Sequence, residues 1–175
     1  MISFLRNNSW VIALILVFMA FSACRKPYTY KHTQKGSDQI LDGSVQKDVL
    51  YDALNFPWYN YEYKTYKVDS LSLQGMKSEF DSLQFLVFGG TWCSDTQREL
   101  PRFIKICDAM GVQSDRMQLF MLDLQKKSAY IHVKVWQITA VPTFIVLRNG
   151  REIGRIVETP TPTLEKQLLQ IVGNK

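Results

Sequence analysis

Phe85-Leu86-Val87-Phe88-Gly89-Gly90-Thr91-Trp92-Cys93-Ser94-Asp95-Thr96-Gln97-Arg98-Glu99-Leu100-Pro101-Arg102-Phe103 is the stretch on which the reading of this chain turns. Its first four residues are all apolar, as in a strand covered on both faces. Gly89 and Gly90 loosen the exit from that strand. Beyond them Leu100, Phe103, Ile104, Cys107 and Met110 recur at helical spacing, and Gly111 stands where a C-terminal cap is wanted. Cys93 therefore sits where a strand hands over to a helix. Unpaired amides and the positive end of the helix dipole stabilise an anion there, the kind of surroundings a nucleophilic thiolate needs. Thr96 shares the face of the first turn, and its hydroxyl is expected to point at the sulfur. Asp95 opposes the thiolate electrostatically while complementing the helix end.

Downstream, Met117 to Leu124 reads as the next strand, which gives a strand-helix-strand unit with its strands parallel. A helix is expected from Ser128 to Trp136. Ala140-Val141-Pro142 then leads into a strand from Thr143 to Leu147. Asn149-Gly150 is a hairpin signal, because both residues tolerate the positive φ of a type I′ turn, and Arg151 to Val157 returns antiparallel. Thr161 is placed to cap a last helix with Pro162 at its first position; Leu164, Leu168, Leu169 and Val172 form its apolar face.

Upstream, Leu73, Met76, Phe80 and Leu83 follow Asp69 and Ser70 at helical intervals. Residues 44–68 form an N-terminal extension. Within it Ser44 is expected to cap a helix carrying Val45, Val49, Leu50 and Leu54, which Pro57 stops. The aromatic run FPWYNYEYKTYKV, residues 56–68, fits a strand through Tyr61 and Tyr63 and a helix through Tyr59, Tyr63 and Tyr66, so periodicity leaves its conformation open. These rings are expected to cover one edge of the core; a binding surface is the alternative.

The first 23 residues read as a signal peptide. A short polar start with Arg6 precedes the apolar run Trp10 to Phe21, which is short for a membrane span, and Phe21-Ser22-Ala23-Cys24 resembles a bacterial lipobox with Cys24 as the lipidated residue. An uncleaved anchor and an ordinary signal peptide are the alternatives. Each reading puts the rest of the chain outside the cytoplasm, and the lipobox places it in a bacterial cell envelope, facing the periplasm or exterior. Residues 24–43 are polar, with Pro27, Gly36 and Gly43, and read as a tether.

The 175 residues carry a formal charge of +5 and are 46% hydrophobic, enough for one domain with a proper core. The basic residues are scattered, so a nucleic-acid partner is not expected. His32 reads as solvated and His132 as structural or solvated. No metal-ligand spacing, phosphate loop or nucleotide motif is present, so no metal and no cofactor is expected. On one helix, Cys93 and Cys107 are about 14 rises of ~1.5 Å apart, roughly 21 Å, beyond the ~7 Å a disulfide allows between Cα atoms. Cys107 falls on the apolar stripe and reads as core.

Taken in order, Gly89-Gly90-Thr91-Trp92-Cys93 after an apolar strand, Pro101 inside the next helix, Val141-Pro142-Thr143 before a strand and the Asn149-Gly150 hairpin resemble the thioredoxin family over residues 69 to 173. The resemblance implies an α/β thioredoxin-like fold for residues 69–175, with a central mixed sheet flanked by helices. It also implies that Cys93 is the attacking cysteine, Trp92 its companion, and Pro142 a proline whose preceding peptide bond is cis. Val141 would then offer its backbone to an extended substrate. Thr96 stands in place of the family's resolving cysteine, and Val87 in place of a buried acid. Both departures concern the second half of dithiol exchange. The expected function is thus a membrane-anchored monothiol oxidoreductase or isomerase. Its partner is a disulfide-containing protein or a small-molecule thiol, and an external thiol resolves the adduct. A non-catalytic binding or scaffold lipoprotein on the same fold is the alternative.

Overall fold

The computed structural model describes residues 28–173. The stretch read as a signal peptide and lipobox, with Cys24, lies outside the described residues. Six strands form one sheet: β1 (Tyr30–Lys35), β2 (Asp38–Val45), β3 (Leu83–Gly89), β4 (Met117–Met121), β5 (Thr143–Arg148) and β6 (Arg151–Val157). Their order across the sheet is β1-β2-β4-β3-β5-β6. Only β3 and β4 run parallel; the other neighbours are antiparallel. The α-helices are α1 (Pro57–Thr65), α2 (Ser70–Gln74), α3 (Ser94–Ala109) and α4 (Leu164–Gly173).

Both faces of the sheet are covered, which is why β3 is apolar and buried from Phe85 to Phe88. Phe85 and Val87 face one core with Phe103 and Ile104 of α3 and Leu168 of α4. Leu86 and Phe88 face a second core with Leu122, Val133, Val141 and Ile145. Strand β3, helix α3 and parallel β4, followed by the β5–β6 hairpin and α4, make this a thioredoxin-like fold with an N-terminal extension. At the hairpin Asn149 and Gly150 have φ of 52° and 75°, so both central residues take the positive φ expected of them.

The extension differs from expectation. The segment read as a tether is a β-hairpin: β1 pairs with β2 along its whole length, and Gly43, Ser44 and Val45 pair with Met121, Phe120 and Leu119 of β4. Gly36, at φ +62°, opens its two-residue turn, where a type II′ turn needs a positive φ. At Gly43 a Cβ would overlap the Thr29 carbonyl oxygen. What appeared as a spacer glycine lets two backbones approach. Ser44 is accordingly a strand residue, and the helix expected after it shrinks to a 3-10 turn at Lys47–Tyr51.

The aromatic run resolves as helix. Pro57 occupies its first turn, and Tyr59 and Tyr63 stack one turn apart with centroids 5.9 Å apart. Asp69 caps α2 by accepting from the Leu71 and Ser72 amides, but α2 ends at Gln74; Phe80 enters a 3-10 turn and Leu83 opens β3. Leu73, Met76, Phe80 and Leu83 are all buried, so the pattern reported burial rather than a continuous helix. Strand β4 stops at Met121. After it the Asp123 carboxylate takes the amides of Gln125 and Lys127 and the Ser128 hydroxyl takes that of Tyr130, so the expected helix is reduced to a 3-10 turn at Val133–Trp136. Thr163 rather than Thr161 caps α4, its hydroxyl accepting from Lys166 N–H at 3.3 Å.

Candidate active site around Cys93

Close packing requires both glycines at the end of β3. A Cβ on Gly89 would come 2.8 Å from Cγ2 of Thr96, and one on Gly90 would come 2.7 Å from the Trp92 ring. With neither present, the chain turns sharply, closed by a Cys93 N–H to Gly90 carbonyl bond of 2.9 Å. Cys93 becomes the N-cap of α3, with φ −89° and ψ 123°; its carbonyl receives the Gln97 amide at 2.9 Å. The thiol makes no capping bond. It donates instead to the Val141 carbonyl at 3.3 Å and is partly exposed.

This places Cys93, Trp92, Val141 and Pro142 together, as the resemblance implied. The Val141–Pro142 peptide is cis. Trp92 and Cys93 pack against the buried core that contains Val141, and the Trp92 indole N–H donates to the Leu122 carbonyl at 3.0 Å. The Pro142 carbonyl is taken by the Glu158 amide at 2.7 Å, and the Thr143 hydroxyl donates to the Ala140 carbonyl, so the strand start facing the sulfur is held on both sides.

Thr96 is not where it was expected. Its side chain is fully buried and its hydroxyl accepts from Gly90 N–H at 3.2 Å, so it secures the strand-to-helix turn and does not reach the sulfur. A residue three positions past an N-cap can face either the cap side chain or the backbone entering the helix; the glycine turn brings the backbone closer. Val87 is fully buried and apolar under the site. The negative charge of Asp95 is met by Arg98 at 2.7 Å. Arg98 also holds the buried Glu99, and its pKa is raised first by that bond and then, after the opposing effect of burial, by Asp95. Asp95, Arg98, Glu99 and Arg102 thus form a largely self-compensated strip along α3.

Cys107 lies in the core at 1% exposure, and burial pushes its thiol pKa far up. It is a packing residue. Exposed His32 pairs with Gln39 and lies tilted toward Phe56, while exposed His132 precedes the 3-10 turn and is not part of the Cys93 site.

The sequence did not single out Thr91 or Gln97. Thr91 is buried, donating its hydroxyl to the Gln39 carbonyl at 2.5 Å while accepting from Leu41 N–H at 3.1 Å. The Gln97 side chain donates to the Thr91 carbonyl at 2.8 Å. No local signal marks a hydroxyl whose partners lie some fifty positions earlier in the chain.

No protein-family model matches the chain. Among known proteins it is similar to thioredoxins. It is 29% identical over 87 residues to thioredoxin H9 of Arabidopsis thaliana, an alignment covering 50% of this chain and 58% of that protein. It is 31% identical over 77 residues to a thioredoxin of Echinococcus granulosus, covering 44% and 66% respectively. The chain thus spans less than two thirds of the length of each. Among solved structures, mitochondrial thioredoxin 3 of Saccharomyces cerevisiae aligns with a TM-score of 0.37 at 19% identity, covering 59% of this chain and 90% of that one. The sequence alignments carry homology to thioredoxins over about half of the chain.

Proposed function

We propose that the chain is a thioredoxin-type thiol-disulfide oxidoreductase or isomerase that works through the single thiol of Cys93, and that its N-terminus holds it at a bacterial membrane, outside the cytoplasm. The observation that carries the chemistry is the position of the Cys93 sulfur, partly exposed at the N-terminus of α3 and against the Val141 backbone. In the first step the thiol loses its proton, leaves the Val141 carbonyl, and attacks one sulfur of a substrate disulfide. That S–S bond breaks, a new one forms to Cys93, and the displaced sulfur departs as a thiolate that takes up a proton. The vacated Val141 carbonyl is then free to accept a backbone N–H from an extended substrate.

Cys107 is sealed in the core, so the adduct needs a thiol from outside the site. A small thiol attacking the Cys93 sulfur releases the second substrate thiol, and a second small thiol then frees Cys93 as a small-molecule disulfide forms, which completes a reduction. A second cysteine of the substrate attacking the substrate sulfur instead frees Cys93 and forms a new substrate disulfide, which completes an isomerisation. Lipid attachment at Cys24, suggested by Phe21-Ser22-Ala23-Cys24, supplies the anchor.

The test is to incubate the purified protein with a disulfide-containing peptide and read adducts by mass spectrometry. A Cys93-linked mixed disulfide that persists until an external thiol is added supports the reading. An accessible Cys93 thiol that forms no adduct overturns it. A second reading, a non-catalytic scaffold, draws on the engagement of the Thr96 hydroxyl with Gly90 and on apolar Val87 beneath the site. Under that reading Cys93→Ser leaves every cellular phenotype unchanged.

A further inference from the structure

The N-terminal hairpin lies outside the 69–173 stretch that resembles thioredoxins, yet the loop carrying Cys93 is fastened to it. Strand β2 meets the rest of the sheet only through Gly43, Ser44 and Val45, which pair with β4. Beyond Gly43, toward Asp38, β2 has left the β4 ladder and runs beside the loop that follows β3. There one side chain replaces the missing ladder. Thr91 Oγ1 donates to the Gln39 carbonyl and accepts from the Leu41 amide, satisfying two β2 backbone groups, much as a neighbouring strand would. Thr91 is 2% exposed, Leu41 0% and Ile40 6%, while Gln39 is partly exposed. The Gln97 side chain holds the Thr91 carbonyl from the first turn of α3, so the loop is fixed from both sides two residues before the sulfur. A second tie, from Ala129 N–H to Asp42 Oδ2 at 3.4 Å, links β2 to the loop after β4, and that loop supplies Ile131 to the apolar core on which Trp92 and Cys93 also rest.

We infer that Thr91 is a positioning residue for Cys93, and that through it the β1–β2 hairpin forms part of the active site rather than a spacer. The inference rests on the thiol-exchange reading above. Two opposed anchors, β2 through Thr91 and α3 through Gln97 and Thr96, hold the sulfur at the helix end and against Val141. Releasing the β2 anchor leaves the loop held from α3 and by the Trp92–Leu122 bond, with nothing opposing α3 at Thr91. The coupling is reciprocal, so occupation of Cys93 by a bulky adduct must be felt at Leu41.

The probe is the aromatic disulfide DTNB, reacted with the full chain and with Thr91→Val and Thr91→Ser, with the thermal melt of each variant recorded. Valine preserves the shape and removes both hydrogen bonds; serine keeps them. Thr91→Val is expected to slow the reaction at Cys93 about tenfold, the scale set by roughly one net hydrogen bond, and to change its pH profile, while Thr91→Ser restores both. A folded Thr91→Val with wild-type rate and profile overturns the inference, as does a Thr91→Ser that behaves like Thr91→Val. If Thr91→Val does not fold, amide exchange in the wild-type chain decides. Protection of the Leu41 amide must change when Cys93 carries a glutathione adduct, and unchanged protection overturns the inference. A wild-type chain inert to DTNB defeats the thiol-exchange reading itself, which is a different result from a reactive wild type matched by its valine variant.

Discussion

A thiol at a helix N-cap is useful only if its own residue leaves the helix end unsatisfied. Cys93 does so: its backbone begins α3 while its sulfur turns to Val141. Cys107, on the same helix, has no such outlet. Alkylation of the native protein is therefore expected to label Cys93 and to spare Cys107 until denaturant is added, as peptide mapping will show. The glycines beside the site are as constrained as the cysteine. A methyl at position 90 must displace the Trp92 ring, whose N–H holds Leu122. Gly90→Ala is expected to cost about 1–3 kcal/mol, the usual range for overpacking, measured by chemical denaturation. That Trp92, Cys93, Val141 and Pro142 lie together was legible because the family resemblance fixes their order, which makes them a candidate site. Thr96 was misassigned because helical spacing shows which side a residue faces but not which partner is nearer.

At the scale of elements, α1 shows what aromatic residues do once a helix is imposed on them. Tyr63 donates to Asp108 at 2.8 Å, and Tyr66 donates to both oxygens of Glu165, a carboxylate that is 1% exposed. The Lys47 ammonium holds the other Asp108 oxygen at 2.7 Å. Burial, then the bond to Asp108, pushes the Tyr63 hydroxyl up to about 12; burial raises Tyr59 and Tyr66 further. In the unfolded chain a tyrosine titrates near ~10. The folded pKa values are the higher ones, so the stability the Tyr63 hydroxyl contributes is fully present below pH ~10 and drains away as pH rises toward about 12, while that of Tyr59 and Tyr66 persists to higher pH. Alkaline denaturation followed by tyrosinate absorbance is expected to show this, and Tyr63→Phe should flatten the slope over that window. Deleting the Tyr66 hydroxyl leaves a buried carboxylate short of a donor, so Tyr66→Phe is expected to destabilise by about 1–3 kcal/mol in a melting experiment. The run 56–68 could not be assigned from periodicity because both periods fit it. Pro57 at a first helical turn and the contact of α1 with α3 decided between them.

Across the whole molecule, the hairpin changes what the N-terminal extension is for. Strand β2 covers the edge of β4 and buries Ile40, Leu41 and Val45. Removal of residues 1–45 would leave β4 as an open edge with an apolar face beside it. The truncated chain is expected to melt at lower temperature and to aggregate, as size-exclusion chromatography will report. A true tether would be removable without loss. The sequence by itself determined the centre of this protein: an apolar strand, two glycines, a cysteine at the head of an amphipathic helix, a proline before the next strand and a hairpin at Asn149-Gly150. Those signals are local, since chain stiffness, turn geometry and helical periodicity act over a few residues. Only the tertiary structure decided the fate of residues 28–45 and the roles of Thr91 and Thr96. A largely polar segment with glycines at 36 and 43 becomes ordered only when its two strands pair with each other and with β4, and a threonine hydroxyl takes whichever backbone group the fold brings within reach.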